Sequence, residues 1–113
     1  SMSASELVKL ENVEFEKLFA VYSYNQIEAR YILTPLLMDK IVAFRNKLNR
    51  DIYLSFNNSK MYLGVPFQEN LFEPAVWSTL LDPIPLEGYY SVIELMVGIV
   101  DELNLNTRIW TKE

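Results

Sequence analysis

The fold is indicated most clearly by residues 51–66, DIYLSFNNSKMYLGVP. Apolar side chains alternate in both halves of this stretch, at Ile52, Leu54 and Phe56 and then at Met61, Leu63 and Val65. Alternation with a period of two is typical of strands that bury one face. The polar residues 57–59, Asn-Asn-Ser, favour a tight turn between the halves. The stretch therefore predicts a β-hairpin.

An amphipathic helix is predicted immediately before the hairpin. Thr34 and Pro35 suit its N-cap and first position, because proline has no amide hydrogen to lose there. From Pro35 to about Asn49 the apolar residues recur every three or four positions, at Leu37, Ile41, Phe44 and Leu48. This spacing predicts a helix over about 35–49 with one buried side.

A second main helix is predicted at about 87–103. Its strongly apolar part, residues 89–100, is too short to cross a bilayer, which takes about 20 such residues. Polar or small residues fall on one side of it, at Glu87, Ser91, Glu94, Gly98 and Asp101. We therefore expect this side to be solvated and the rest of the helix to be buried across the sheet. Residues 107–111 then form either a final edge strand or an irregular tail.

The remaining elements are shorter. Residues 7–10 and 21–24 favour extended structure, and Ser23 with Gln26 indicates a capping box at the start of a helix through 26–32. Three prolines make residues 68–86 irregular, with room for one helical turn at 75–81. The sequence thus predicts an α+β fold in which a small antiparallel sheet, including the hairpin near 51–66, packs against the two main helices.

The length and composition limit the number of domains and the class of function. A chain of 113 residues suits one core. We therefore expect a single domain over 6–113, preceded by a cloning remnant or disordered end at 1–5.

The net charge of −5 has the wrong sign for binding phosphates, so no nucleic-acid partner is predicted. Histidine and cysteine are both absent, which excludes Ser-His and Cys-His catalysis and thiolate zinc sites. No catalytic residue, metal or cofactor is predicted.

Four residues are candidates for binding. Arg30 follows Glu28 in a largely apolar segment, and its guanidinium needs acceptors. These are either groups of its own fold, as in an internal ion pair, or a bound anion. Tyr53 and Tyr62 lie on the hairpin face opposite Leu54 and Leu63, and a two-residue loop at Asn57 and Asn58 would place them directly across from each other. Such a pair either packs under further structure or forms a stacking platform.

A family resemblance is carried by two blocks of sequence. The stretch FEKLFAVYS, residues 15–23, followed by QIEARYILTP, residues 26–35, resembles the bacterial family catalogued as domain of unknown function 3137. Weaker markers follow at 55–56, 61–63 and 71–73. The resemblance implies membrane-spanning segments ahead of a soluble domain, and hence a location on the cytoplasmic side of the inner membrane. It implies no activity for any residue.

The sequence is therefore compatible with three functions. The first is an interaction or regulatory domain of a membrane-associated bacterial protein, with a protein partner and with membrane contact only through a segment outside this chain. The second is a domain that binds a small ligand or anion through Arg30 and the tyrosines. The third is an enzyme that relies on carboxylates, lysines or tyrosines alone.

Overall fold

The computed structural model describes residues 5–48, 50–64 and 86–112, which form one four-stranded sheet and four helices. The strands are β1 (Glu6–Leu7), β2 (Val21–Ser23), β3 (Tyr53–Asn57) and β4 (Lys60–Gly64). The helices are α1 (Val13–Leu18), α2 (Gln26–Ile32), α3 (Pro35–Leu48) and α4 (Leu86–Lys112). The predicted α+β class is confirmed.

The sheet is mixed, with the strand order β1-β2-β3-β4. The outer pairs β1–β2 and β3–β4 are antiparallel, but the central pair β2–β3 is parallel. The prediction of a purely antiparallel sheet is therefore wrong. Between β2 and β3 the chain passes through α2 and α3, and a helical crossover of this kind returns the chain to the end of the sheet at which β2 began.

The predicted hairpin is confirmed, but its turn lies one residue later than expected. Asn57 pairs with Lys60, so the two-residue loop is Asn58–Ser59 and not Asn57–Asn58. Both loop residues have positive φ, 53° for Asn58 and 61° for Ser59. Positive φ at both central positions is the geometry that matches the twist of the flanking strands.

The helix starts follow local capping chemistry. The Leu37 amide donates to Thr34 Oγ1 over 3.2 Å at the start of α3, as the sequence predicts. At the start of α2 the cap is Asn25 and not Ser23, because Asn25 Oδ1 accepts from the Glu28 amide over 3.0 Å. Ser23 instead donates its hydroxyl hydrogen to the Asn25 carbonyl. Asn25 directly precedes the helix, where a short polar side chain reaches the free amides of the first turn.

The core joins one face of the sheet to α1, α2 and α3. Alternate residues of the central strands point into it, including Val21, Leu54 and Phe56. The other large, almost fully buried side chains are Phe15, Ile32, Leu37, Ile41 and Ile52. The opposite face of the sheet stays open to solvent, since Tyr22, Tyr53 and Tyr62 are exposed there.

Helix α4 packs mainly against α3 and α2, so its predicted position across the sheet is wrong. Its buried side chains Val92, Ile99 and Asn106 recur every seven residues. This stripe is narrow, as expected for a helix that contacts other helices along one seam. Asn106 Nδ2 donates to the Ile32 carbonyl over 2.8 Å and so ties α4 to the end of α2.

The C-terminal prediction also needs correction. Residues 107–111 belong to α4, which runs to Lys112, and they form neither an edge strand nor an irregular tail. Of the segment predicted to be irregular at 68–86, Leu86 instead begins α4, and residues 68–85, with the helical turn predicted at 75–81, lie outside the described residues.

Candidate functional site

Tyr53 and Tyr62 lie on the open face of the sheet, which we define by Leu7, Tyr22, Tyr53 and Tyr62. The two tyrosines are 57% and 53% exposed. They are not directly opposite each other, because Tyr53 pairs with Gly64 and Tyr62 with Ser55. The shift follows from the position of the turn and makes the tyrosines diagonal neighbours. Tyr22 lies on the other side of Ser55, so Tyr22 and Tyr62 flank one small residue.

Glu28 is a buried carboxylate, only 7% exposed, that joins three parts of the fold. Its Oε1 accepts from the Ser59 amide over 3.2 Å, and its Oε2 accepts from the Ser59 hydroxyl over 2.9 Å. Oε2 also accepts from Trp110 Nε1 over 2.9 Å. Glu28 therefore connects α2 to the hairpin turn and to the last turns of α4. Its oxygens already have internal donors, which is the arrangement that a buried charge requires.

Arg30 lies away from this network, in a cleft of about 540 Å³. The cleft lies between the segment that joins β1 to α1 and the junction of α2 with α3. Its lining residues are Lys9, Leu10, Glu11, Asn12, Arg30, Leu33, Pro35 and Met38. Among the described residues Arg30 forms neither an ion pair nor a hydrogen bond, whereas Lys40 pairs with Glu102 and Arg45 with Asp51. The internal ion pair considered for Arg30 is therefore not formed with Glu28.

An apolar surface that the sequence did not predict lies on α4. Six large apolar side chains point to solvent on one side of its first half, and we call them the apolar face of α4: Tyr89, Tyr90, Ile93, Met96, Val97 and Val100. Tyr90 is 72% and Ile93 57% exposed. The polar side chain of Glu94 is also exposed, as its spacing predicts. The expectation that the rest of the helix is buried is therefore wrong, and within the polar stripe Ser91 and Gly98 are only half exposed.

The described elements contain neither a cluster of metal ligands nor a membrane-spanning helix. Within residues 5–48, 50–64 and 86–112, no three Asp or Glu side chains lie close enough together to hold a metal ion. None of the helices in the same ranges has both the length and the apolarity needed to cross a bilayer.

Comparison of the sequence with models of known protein families identifies the family of this chain. The model of the family described as "Protein of unknown function (DUF3137)" matches residues 1–105. The chain belongs to this family. The match includes α1, α2, α3, the hairpin and most of α4, so the resemblance seen in residues 15–35 extends over the DUF3137 domain described here. No curated protein and no solved structure matches the chain.

The four predicted residues of this DUF3137 domain do not form one site. Glu28 belongs to the internal network, Arg30 to the cleft, and the two tyrosines to the open face of the sheet. A role for any of them in binding stays a prediction. The apolar face of α4 was missed because the run 89–100 was interpreted as buried. A signal for it exists in the sequence, since Tyr90, Ile93, Val97 and Val100 follow the alternating three- and four-residue spacing of a helix–helix seam.

Proposed function

We propose that this DUF3137 domain is a protein-interaction module that binds a helix of a partner protein on the apolar face of α4. The observation that carries the proposal is the exposure of six large apolar side chains on one side of a single helix. Single exposed apolar residues are common, but contiguous exposed patches mark interaction sites in soluble proteins. Burial of such a patch contributes a favourable transfer free energy of roughly 25 cal/mol for each Å² removed from water, from which the costs of association are subtracted.

The spacing of the face favours a helical partner. Tyr90, Ile93, Val97 and Val100 are separated by three, four and three residues, which is the heptad pattern of residues that insert between the side chains of a neighbouring helix. The same helix already uses a heptad stripe, Val92 and Ile99, against its own fold. Helix α4 thus carries two seams, and only the inner one has a partner among the described elements.

The charges beside the face favour a basic partner. Glu94 and Asp101 are exposed along one of its edges, and α4 has no lysine or arginine at 87–106. Lys40 of α3 lines the same cleft as Glu94, but its ammonium is already paired with Glu102. In an antiparallel pair of identical helices, like edges meet, so a second copy of this chain would place acidic side chains against each other. A partner helix with lysine or arginine beside its apolar seam avoids this repulsion and gains complementary charge.

The proposal includes a location for the full-length protein. The resemblance to DUF3137 implies membrane-spanning segments ahead of a domain of this kind, and this supports our proposal that the domain lies on the cytoplasmic side of a bacterial inner membrane. Fractionation of cells that express the full-length protein tests this. We expect it in the inner-membrane fraction, with the domain protected from protease added to spheroplasts. Cleavage of the domain in intact spheroplasts would contradict this location.

Site-specific photo-crosslinking tests the partner. A photoreactive residue at Ile93 of the full-length protein is expected to form an adduct in its native cells, and the attached peptide should be an amphipathic helix with lysine or arginine beside its apolar positions. The control places the same group at Asn46, an exposed position of α3. Adducts of equal yield at both positions, or an Ile93 adduct with a lipid, an acidic segment or a second copy, would refute the proposal.

A charge introduced into the face provides the matched variant. Val97→Asp is expected to lower the adduct yield from Ile93 about tenfold or more, because a carboxylate would be buried in an apolar interface. Ala43→Asp, at an exposed position of α3, introduces the same charge and should leave the yield unchanged.

A second candidate function, the binding of a small anion, is favoured by a separate observation, the cleft that contains Arg30.

A further inference from the structure

We infer that the cleft lined by Lys9 and Arg30 binds a monocarboxylate with an apolar body. The cleft has a volume of about 540 Å³, which lies within the range of roughly 300 to 1,000 Å³ typical of small-molecule sites. It shares no lining residue with the apolar face of α4, so the inference does not depend on the interaction proposed above.

The anionic part of the ligand is specified by the two cations. Lys9 and Arg30 are both exposed, and neither forms a hydrogen bond or ion pair with the part of the chain that the structure describes. Their donors are therefore available to a ligand without the loss of an existing pair. A guanidinium offers two parallel N–H donors that match the two oxygens of a carboxylate, while an ammonium adds a more flexible point charge.

The net charge of the lining favours a monoanion. Among the described lining residues Glu11 is the one acidic side chain, and the carboxylates of Glu16 and Asp39 accept hydrogen bonds from two other lining residues. Three carboxylates therefore flank Lys9 and Arg30, so a ligand with one negative charge meets less repulsion than a ligand with two. A phosphate monoester carries up to two negative charges and would leave the cleft with excess negative charge beside Glu11. Both groups can accept from the two cations, but the lower charge of the carboxylate favours it here.

The apolar part of the ligand is specified by the rest of the lining. Leu10, Leu33, Pro35 and Met38 contribute hydrocarbon surface, and Leu33 and Met38 belong to the buried core. This wall is fixed by the packing of α2 and α3, so it is already formed in the absence of a ligand. A few polar groups placed on an apolar wall are the usual composition of a small-molecule site.

Two sources of such a ligand are possible, a free organic acid and the C-terminal carboxylate of a peptide. Phenylacetate and hexanoate represent the first source, and a tetrapeptide that ends in leucine represents the second. The controls are phenylacetamide, the same peptide with an amidated end, and phenyl phosphate. Titration of the isotope-labelled protein, followed by amide chemical shifts, reports binding and its position. We expect at least one carboxylate to shift the resonances of Leu10, Arg30 and Leu33 at millimolar concentration, and the amides to shift none of them.

The substitutions Arg30→Gln and Lys9→Gln test the cations. Loss of a charged hydrogen bond corresponds to a loss of affinity of about 10- to 100-fold for Arg30→Gln, and we expect a smaller loss for Lys9→Gln. Lys47→Gln, at an exposed position of α3 outside the cleft, should leave the affinity unchanged. Equal binding of acids and amides, an unchanged affinity of the Arg30 variant, preference for phenyl phosphate, or no shift with any carboxylate would each overturn the inference.

Discussion

Replacement of Phe56 by alanine is expected to lower the free energy of unfolding by about 3 to 5 kcal/mol, the usual range for a buried phenylalanine. Phe56 is 1% exposed on β3, which is hydrogen-bonded to a strand on each side. The cavity left by the ring therefore cannot close by movement of the strand without loss of pairing with β2 or β4. This site should give a value in the upper part of the range.

The matched control is Tyr62→Ala, which removes an aromatic ring from the other face of the same hairpin. Because Tyr62 is exposed on the open face of the sheet, we expect a loss below about 1 kcal/mol, the size of a cross-strand pair contribution. Urea denaturation of both variants measures the difference in their free energies of unfolding. The dependence of that free energy on urea concentration is held equal for the two variants. Losses of similar size would show that the face is packed in solution and would contradict the assignment of a single buried face.

The second large effect is expected for Glu28→Gln, which we predict to destabilise the domain by about 2 to 4 kcal/mol. Three donors point at the two carboxylate oxygens, the amide and hydroxyl of Ser59 and the indole N–H of Trp110. A glutamine offers one oxygen and one NH₂ group, so at least one of these donors would face another donor. At a buried position no water replaces the lost acceptor.

Two further variants distinguish the loss of the hydrogen bonds to Glu28 from the loss of a negative charge alone. Glu94→Gln removes a carboxylate from an exposed position of α4 and should change the stability by less than about 0.5 kcal/mol, as for ordinary surface substitutions. Ser59→Ala removes the hydroxyl donor but keeps the backbone donor, so a loss of about 1 kcal/mol is expected. If Glu28→Gln proves as mild as Glu94→Gln, then the three hydrogen bonds to Glu28 do not hold the fold together.

The elements that rest on local chemistry were predictable from the sequence. The hairpin was identified by its alternation and α3 by its spacing and its Thr34 cap, because these signals lie within the elements themselves. The parallel pairing of β2 with β3 was not predictable in this way, since it depends on the path of the chain through two helices. The turn at Asn58–Ser59 was shifted because residues 57–59 are all polar and allow two positions for the loop.

The candidate sites were only partly predictable, for a related reason. Arg30 and the tyrosines were recognised as unusual, but their grouping depends on tertiary structure, which separates Arg30 from the two tyrosines and brings Lys9 into the same cleft as Arg30. Glu28 was selected as a possible binding residue, and the donors that surround it come from Ser59 and Trp110, both distant in the sequence. The apolar run in α4 was assumed to be buried because hydrophobicity alone does not distinguish a core helix from a helix with an outer seam.

The parallel pairing of β2 with β3 has a consequence for the order of folding. The hairpin closes through a two-residue loop and can form within microseconds, whereas β2 reaches β3 only after the intervening chain has been shortened by α2 and α3. We therefore expect pulsed hydrogen exchange during refolding to protect the amides of β3 that face β4 before those shared with β2. Simultaneous protection would indicate that the whole sheet assembles in one step.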